Sequence, residues 1–376
     1  MAKRRIFVIN CGSTSIKVAV FEEQECVLKE NVHIPTEITA GSTRVVDQLA
    51  PRTEIIESFL ADNKIDLGSF SIIASRGGPI PMCPGGAYAV NQYMIDVLTY
   101  APRIQHASAL SALIGDKLAR KYNLPHIIYD SVSSDEMDEL ARYSGYPGIY
   151  FNSGTHILNA RMVARRIAEK INKPFEECRF IIAHLGGGCS FNVVRDGLIV
   201  DYINDYRGTI TPERPGNLPN DGLIDLCFSG KYTRDELQKI MMGGGGFISY
   251  IGTSDALKVE KMADAGDEKS IFLYELMSYN VAKLIGSLVP VLCGKVDRLI
   301  FTGGLARSKR LLDPVIERVS YIAPVEIIPG ELEMEALALG ALRVLDGKEP
   351  AKEFDVAPAG FSSKEEFYRS ISKSDL

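Results

Sequence analysis

Tryptophan is absent from this chain and histidine is scarce, at five residues. The lack of tryptophan decides nothing. The scarcity of histidine narrows the imidazoles able to donate to a phosphate to His33, His106, His126, His156 and His184. Cysteine is unpatterned: Cys11, Cys26, Cys83, Cys178, Cys189, Cys227 and Cys293 form no CxxC, and their number is odd. This argues against a zinc knuckle or a disulfide framework and points to a reducing, cytoplasmic setting. The longest apolar tract, "LIGSLVPVLCG", is too short to span a bilayer. The opening "MAKRRIFVIN" lacks the apolar stretch of a signal peptide. There is no large basic stripe. With 42 Lys and Arg against 48 Asp and Glu, the net charge is −6. Nucleic acid and anionic membrane are therefore not expected partners, and an anionic small molecule has to be met by local groups. Neither GxxxxGK[ST] nor GxGxxG occurs, so P-loop and dinucleotide fingerprints are missing.

What is present is ordinary globular material, 46% apolar and 24% charged over 376 residues. That length supports two domains, each with its own core. "RIFVIN", "IKVAVF" and "ECVLKENVHI" read as three strands, followed by a short helix at "IIESFLADN" and a strand, "FSIIASRGG". "VNQYMIDVLTY", "HASALSALIGDKLARKY" and "ILNARMVARRIAEKI" have helical periodicity. "LPHIIYDSVSSDEM" reads as a strand ending at Asp130. The opening layout then returns: "CRFIIAHLGGGCSFNVVRDGLIVDYI" is strand, glycine turn, strand, Asp-Gly turn, strand. A duplicated fold follows, with a first domain over 1–150 and a second over 151–345. The tail, about 345–376, is read as peripheral or as returning to the first domain.

Both repeats open on a turn of small residues. Gly12, Ser13 and Ser15 lead into Lys17, and Gly186, Gly187 and Gly188 lead into Ser190. Such turns expose backbone amides and hydroxyls as an anion cradle. Facing one another across a cleft, two of them would grip a nucleotide's phosphates. Gly303 and Gly304, after the strand "RLIFT", suit close approach of a nucleotide or simple helix–strand packing. "NDYRGTITPERPGNLPNDG", with Arg207 and Arg214, reads as a long ordered loop near a site. The run Gly243–Gly246 reads as a hinge or an adenosine-side loop.

The segments "RGGPIPMCPGGAYAVN", "QHASALSAL", "YDSVSSDEMDELARYSG", "RFIIAHLGGGCS", "FTGGLARSK" and "IAPVEIIPGELEMEALALGALR" are specific together. On them the chain resembles the acetate kinase family, and within it the butyrate kinases. The resemblance implies an α/β, duplicated actin-like ATPase (ribonuclease H-like) fold, with mixed sheets flanked by helices and two domains around a cleft. It implies an ATP:carboxylate phosphotransferase, with butanoate or a similar acid, its acyl phosphate, ATP or ADP, and Mg2+ as ligands. It also implies a cytoplasmic homodimer or larger homo-oligomer. By resemblance, Asn10 belongs to the first turn, Arg76 grips the carboxylate, and His106 lies beside the substrate. Asp130 activates the carboxylate or places magnesium, His156 acts in phosphoryl transfer, and His184 stands at the second turn. Glu335 holds magnesium, with Glu333 as its rival. Two features depart from acetate kinases. Where they read HLGNG this chain has Gly187, and the Gly-Thr-Arg arginine is missing, with Arg214 as its substitute. With the shorter chain, these favour butanoate or branched acids over acetate.

The chemistry asks for such residues. A carboxylate approaching a polyphosphate must overcome like charge, which an arginine fork and a metal relieve. No strong base is needed, because a carboxylate is already ionised at neutral pH. Pro79, Ile80, Pro81, Met82 and Ala107 are the apolar candidates for selectivity near Arg76. His126 reads as structural, at the start of a buried strand. Acetate or propionate kinase is the nearest alternative. A sugar kinase lacks its acidic base here, and a non-enzymatic actin-like or chaperone-like switch lacks the extra length it would need.

Overall fold

Nearly unbroken apolar runs at "RIFVINC", "IIASR", "FIIAHL" and "RLIFTG" make strands buried on both faces, as expected of sheets covered by helices on either side. The computed structural model describes residues 3–40, 42, 44–101 and 106–371. It divides into two compact units: Met1–Asp135 with Leu332–Leu376, and Glu136–Glu331. The sequence reading had placed these divisions near 150 and 345.

The first unit contains strands β1 (Arg5–Cys11), β2 (Ser15–Glu22), β3 (Glu25–His33), β4 (Ile72–Arg76), β5 (Ala87–Ala89) and β6 (His126–Tyr129). Their order is β3-β2-β1-β4-β6-β5. β1 runs antiparallel to β2 and parallel to β4, and β4 runs parallel to β6. Side chains alternate along β1. Phe7, Ile9 and Cys11 enter one core cluster with residues of helices Leu49–Asp62 and Ala109–Tyr122. Ile6, Val8 and Asn10 face the other way, toward helix Glu333–Leu345, which packs on β1, β4 and β6. Gly340 lets that helix touch β6, since a Cβ there would meet the Tyr129 ring. The tail packs into the same unit: Phe354 and Phe367 are buried, and Phe354 stacks on Tyr93 at 5.8 Å.

The second unit repeats this plan. β7 (Phe180–Leu185), β8 (Cys189–Arg195), β9 (Leu198–Ile203), β10 (Arg298–Gly303) and β11 (Val325–Pro329) lie in the order β11-β10-β7-β8-β9. β7 is antiparallel to β8 and parallel to β10, and β10 is parallel to β11. Ile181, Ala183 and Leu185 face the cluster built with helix Glu268–Leu288. His184, on the opposite face, meets helix Ile157–Lys170. Asn10 and His184 thus occupy equivalent places, one residue before the end of the first strand of each repeat. Among the described residues, no helix is long and apolar enough to cross a membrane.

Candidate active site

In the first unit, the turn between β1 and β2 is closed by Gly12 N–H donating to the Ser15 carbonyl at 2.8 Å. The Thr14 carbonyl accepts from Ile34 N–H at 3.0 Å. The carbonyls of Gly12 and Ser13 accept from Arg52 Nη1 and Nη2 at 2.8 and 2.7 Å. All four carbonyls of the turn are therefore engaged. Ser13 and Thr14 are exposed, and their amides have no protein acceptor among the described residues. Lys17 sits opposite Asn10 in the β1–β2 ladder. Cys11, at the root of the turn, is fully buried, and burial pushes its thiol pKa up to about 11.

Asn10 is 3% exposed and donates from Nδ2 to Glu333 Oε2 at 2.7 Å. The same carboxylate pairs with Arg76 Nη1 at 3.2 Å. Arg76 ends β4, and Glu333 opens helix Glu333–Leu345, where a carboxylate also complements the helix dipole. Glu335 was the sequence choice for magnesium. It turns instead toward Lys29, at 3.6 Å, because two residues along a helix swing the side chain through about 200°. His106 lies within the influence of Arg76. Crowding by protein and then the Arg76 charge lower its pKa, and its Nδ1 meets Ser108 Oγ at 2.7 Å. Asp130 follows β6, is 2% exposed, and holds a left-handed backbone with φ of 41°. Its Oδ1 accepts from Gly86 N–H at 2.8 Å. A buried carboxylate in a sparsely populated backbone region is typical of functional strain. Ile80 is buried in the core cluster, Pro81 is half-buried and Met82 is 51% exposed. His126 is buried against Ser75 Oγ at 2.9 Å.

In the second unit, His156 and His184 stack with ring centroids 3.8 Å apart and planes within 3°. His184 Nδ1 accepts from Asn159 Nδ2 at 3.0 Å, and the same amide donates to Thr302 Oγ1 at 3.1 Å. This assigns the His184 proton to Nε2. His156 Nδ1 meets Ser190 Oγ at 3.0 Å. That hydroxyl also accepts from His156 N–H and Asn192 Nδ2, so its own proton goes to His156 Nδ1 and His156 too is protonated at Nε2. His184 Nε2 lies beside Gly186, 3.7 Å from where a Cβ would stand.

The second turn is packed from outside by the 204–219 loop. Thr211 Oγ1 donates to the Gly187 carbonyl at 2.6 Å. The Glu213 carboxylate fills the space a side chain on Gly187 would need, 3.1 Å from that Cβ position. Arg214 lies directly over Gly188, held there by Asp205, whose other oxygen accepts from Cys189 N–H at 2.8 Å. Burial raises the Asp205 pKa, with Arg214 opposing. Cys189 is fully buried, and its thiol pKa is pushed up to about 12. The second half of the four-glycine run straps this loop. Gly245 N–H donates to Glu213 O, Phe247 N–H to Thr211 O, and a Cβ on Gly246 would overlap the backbone of Thr211 and Arg214.

A cavity of about 500 Å³ is lined by Gly186, Gly187, Leu257, Glu260, Gly304 and Arg307, among others. Gly303 is not among its lining residues; its φ of 87° and lack of Cβ serve a close approach to the Leu185 carbonyl. A second cavity of about 480 Å³ is bounded by Phe151, Asn152, Tyr202, Asp205, Tyr206 and Arg207, with Arg207 over the Phe151 ring at 3.8 Å.

Residues 149–322 match the model of the acetokinase family. This stretch is an acetokinase-family segment. Phosphoryl transfer between ATP and a carboxylate is the reaction that membership of this stretch in that family indicates. Solved structures agree in fold. Acetate kinase of Porphyromonas gingivalis superposes with a TM-score of 0.75 at 17% identity, over 91% of this chain and 100% of that one. A propionate kinase from Francisella tularensis gives 0.70 at 18%, over 89% and 98%. Acetate kinase of Entamoeba histolytica gives 0.71 at 16%, over 90% and 99%. The acetokinase segment contains the histidine pair, the second turn and the 204–219 loop.

The sequence reading missed Arg52, Asn159, Glu213 and the residues of the cavity beyond its glycines. Only the buried charge of Arg52 in an otherwise amphipathic helix would have marked it.

Proposed function

We propose that the chain moves the terminal phosphoryl group of ATP, reversibly, to the carboxylate of butanoate or a similar short or branched acid. The observation that carries the reading is the stacked His156–His184 pair, protonated at Nε2 and set beside a glycine turn. Two fixed N–H donors suit the charge that develops on phosphoryl oxygens. In this reading Arg76 takes the two carboxylate oxygens, oriented by Glu333, with His106 beside it. In the first unit the amides and hydroxyls of the Gly12–Ser15 turn are the candidate donors to phosphate oxygens, and in the second unit the turn at Gly186 and Gly187 is. The 500 Å³ cavity, with Gly304, takes the nucleoside. Arg214, braced by Asp205, adds positive charge at the second turn.

A carboxylate oxygen attacks the terminal phosphorus and forms the new P–O bond. The bond to the bridging oxygen breaks, and its electron pair leaves on ADP. No proton moves, so the pathway needs no base. Among the described residues, no three His, Cys, Asp or Glu side chains gather as a metal cage. Magnesium brought with ATP needs only one or two carboxylates, and the hard oxygens of Asp130 and Glu333 fit it. When bound, it supplies neutralisation of phosphate charge.

The acid preference rests on the departures from acetate kinases. The missing side chain at Gly187 has a local cause, because Glu213 occupies its place. Acetate and propionate are the competing acids. An acyl hydroxamate assay with Mg-ATP over two-carbon to six-carbon acids tests the reading. At about 1 kcal/mol each, two methylenes in a fitted pocket predict a roughly thirtyfold or greater kcat/KM for butanoate over acetate. Equal values refute the acid preference, and no hydroxamate with any acid refutes the class.

A further inference from the structure

We propose that Arg52 is the positioning residue of the first phosphate turn, fixing the amides of Ser13 and Thr14 outward as an oxyanion cradle. The proposal rests on the phosphotransfer reading above. Its mechanism is the planarity of the peptide unit. In a trans peptide the carbonyl of one residue and the N–H of the next point in opposite directions. Arg52 holds the Gly12 carbonyl inward at 2.8 Å, which turns Ser13 N–H outward. It holds the Ser13 carbonyl inward at 2.7 Å, which turns Thr14 N–H outward. Ile34 N–H and Gly12 N–H engage the remaining two carbonyls, so the turn has no other orientation to adopt.

The cost of placing Arg52 there points the same way. It is 1% exposed, on a helix whose other inward residues include Ile56 and Leu60. Burying a guanidinium costs several kcal/mol, which an ion pair normally offsets. Among the described residues no carboxylate pairs with it; its hydrogen bonds go to the two turn carbonyls. Burial pulls its pKa down from a value so high that it stays charged. An uncompensated positive charge therefore stands directly behind two outward amides. A leucine would pack the helix as well, but it would neither orient the turn nor attract an anion to it.

Arg52→Lys and Arg52→Met in the full chain provide the test. Lysine keeps the charge and loses the two-point grip; methionine loses both. Four quantities are read: tripolyphosphate affinity by calorimetry, kcat/KM for ATP, KM for the carboxylate, and Tm. The expected result is a tenfold or greater loss in tripolyphosphate affinity and in kcat/KM for ATP with lysine. Methionine should cost a hundredfold or more, with carboxylate KM within twofold in both. A residue that merely staples the helix to the hairpin lowers Tm and leaves these phosphate readouts within twofold in folded protein, which overturns the proposal. A shift in carboxylate KM as large as that for ATP also overturns it, as does failure of both variants to fold. If the wild type makes no hydroxamate but binds tripolyphosphate and the variants lose that binding, the function reading falls and the assignment of Arg52 stands.

Discussion

Glu333 and Glu335 are two residues apart and chemically equal, so replacing each by glutamine separates position from charge. Glu333 has a side chain 8% exposed, touches both Asn10 and Arg76, and opens its helix beside the end of β1. Glu333→Gln keeps an acceptor for Asn10 but removes the charge that pairs with Arg76 and, in the proposed function, would meet magnesium. Loss of one such preorganised electrostatic contact lowers kcat/KM roughly a hundredfold to a thousandfold, about 2.7 to 4 kcal/mol. It also leaves Arg76, with a side chain 24% exposed, without its counter-ion. That costs about 1 to 3 kcal/mol of stability, so Tm is measured beside activity. Glu335 pairs with Lys29, whose side chain is 47% exposed. Glu335→Gln then removes a surface pair worth at most about 1 kcal/mol and changes kcat/KM by less than about threefold. Hydroxamate kinetics at stepped magnesium concentrations decide between them. A Glu333→Gln enzyme with wild-type magnesium dependence and rate, or a Glu335→Gln enzyme equally crippled, refutes the assignment.

Burial holds the His126 pKa near 3, against an ordinary value of 6.5. Above 6.5 both folded and unfolded states carry it neutral. Below that, the unfolded chain gains a proton that the folded chain refuses, so stability falls by about 1.4 kcal/mol per pH unit, up to roughly 5 kcal/mol at pH 3. Urea unfolding of His126→Gln between about pH 6 and pH 4 is expected to show a correspondingly shallower slope; equal slopes contradict the buried neutral state. Gly246→Ala forces a side chain into a backbone conformation with φ of 62° and against Thr211 and Arg214, costing about 3 kcal/mol or more. The 211–215 loop should become protease-sensitive and the KM for ATP should rise; unchanged proteolysis and KM would show that the strap is dispensable.

The duplicated hairpins were legible because alternating apolar residues flank small-residue turns in both halves, and the sheets repeat the same strand order. Helix Leu49–Asp62 was read only from "IIESFLADN" onward, since Pro51, Arg52 and Thr53 interrupt the apolar period; Pro51 in fact sits in the first turn, where no N–H is needed. β5 is three residues long and exists through pairing with β6 and a bridge to Lys352, which no local signal announces. The choice between Glu333 and Glu335 depends on the rotational phase of a helix against a strand. The four glycines read as a hinge because glycine lowers local rigidity, whereas at Gly245 and Gly246 close contacts with the backbone of the 211–215 loop demand it. Cys189, His184 and Ser190 carried their spacing in the sequence, but the stacking of His156 on His184 arises only when helix Ile157–Lys170 lies on β7.

An enzyme that makes an acyl phosphate makes an acylating agent, and any thiolate near its birthplace is a target. Cys11 and Cys189 stand at the roots of the two turns, yet each is sealed from solvent with its ionisation suppressed. Both sulfurs therefore remain protonated and poorly nucleophilic at neutral pH. In the proposed reaction, the same packing that seats the turns would keep these two thiols from being acylated by the product.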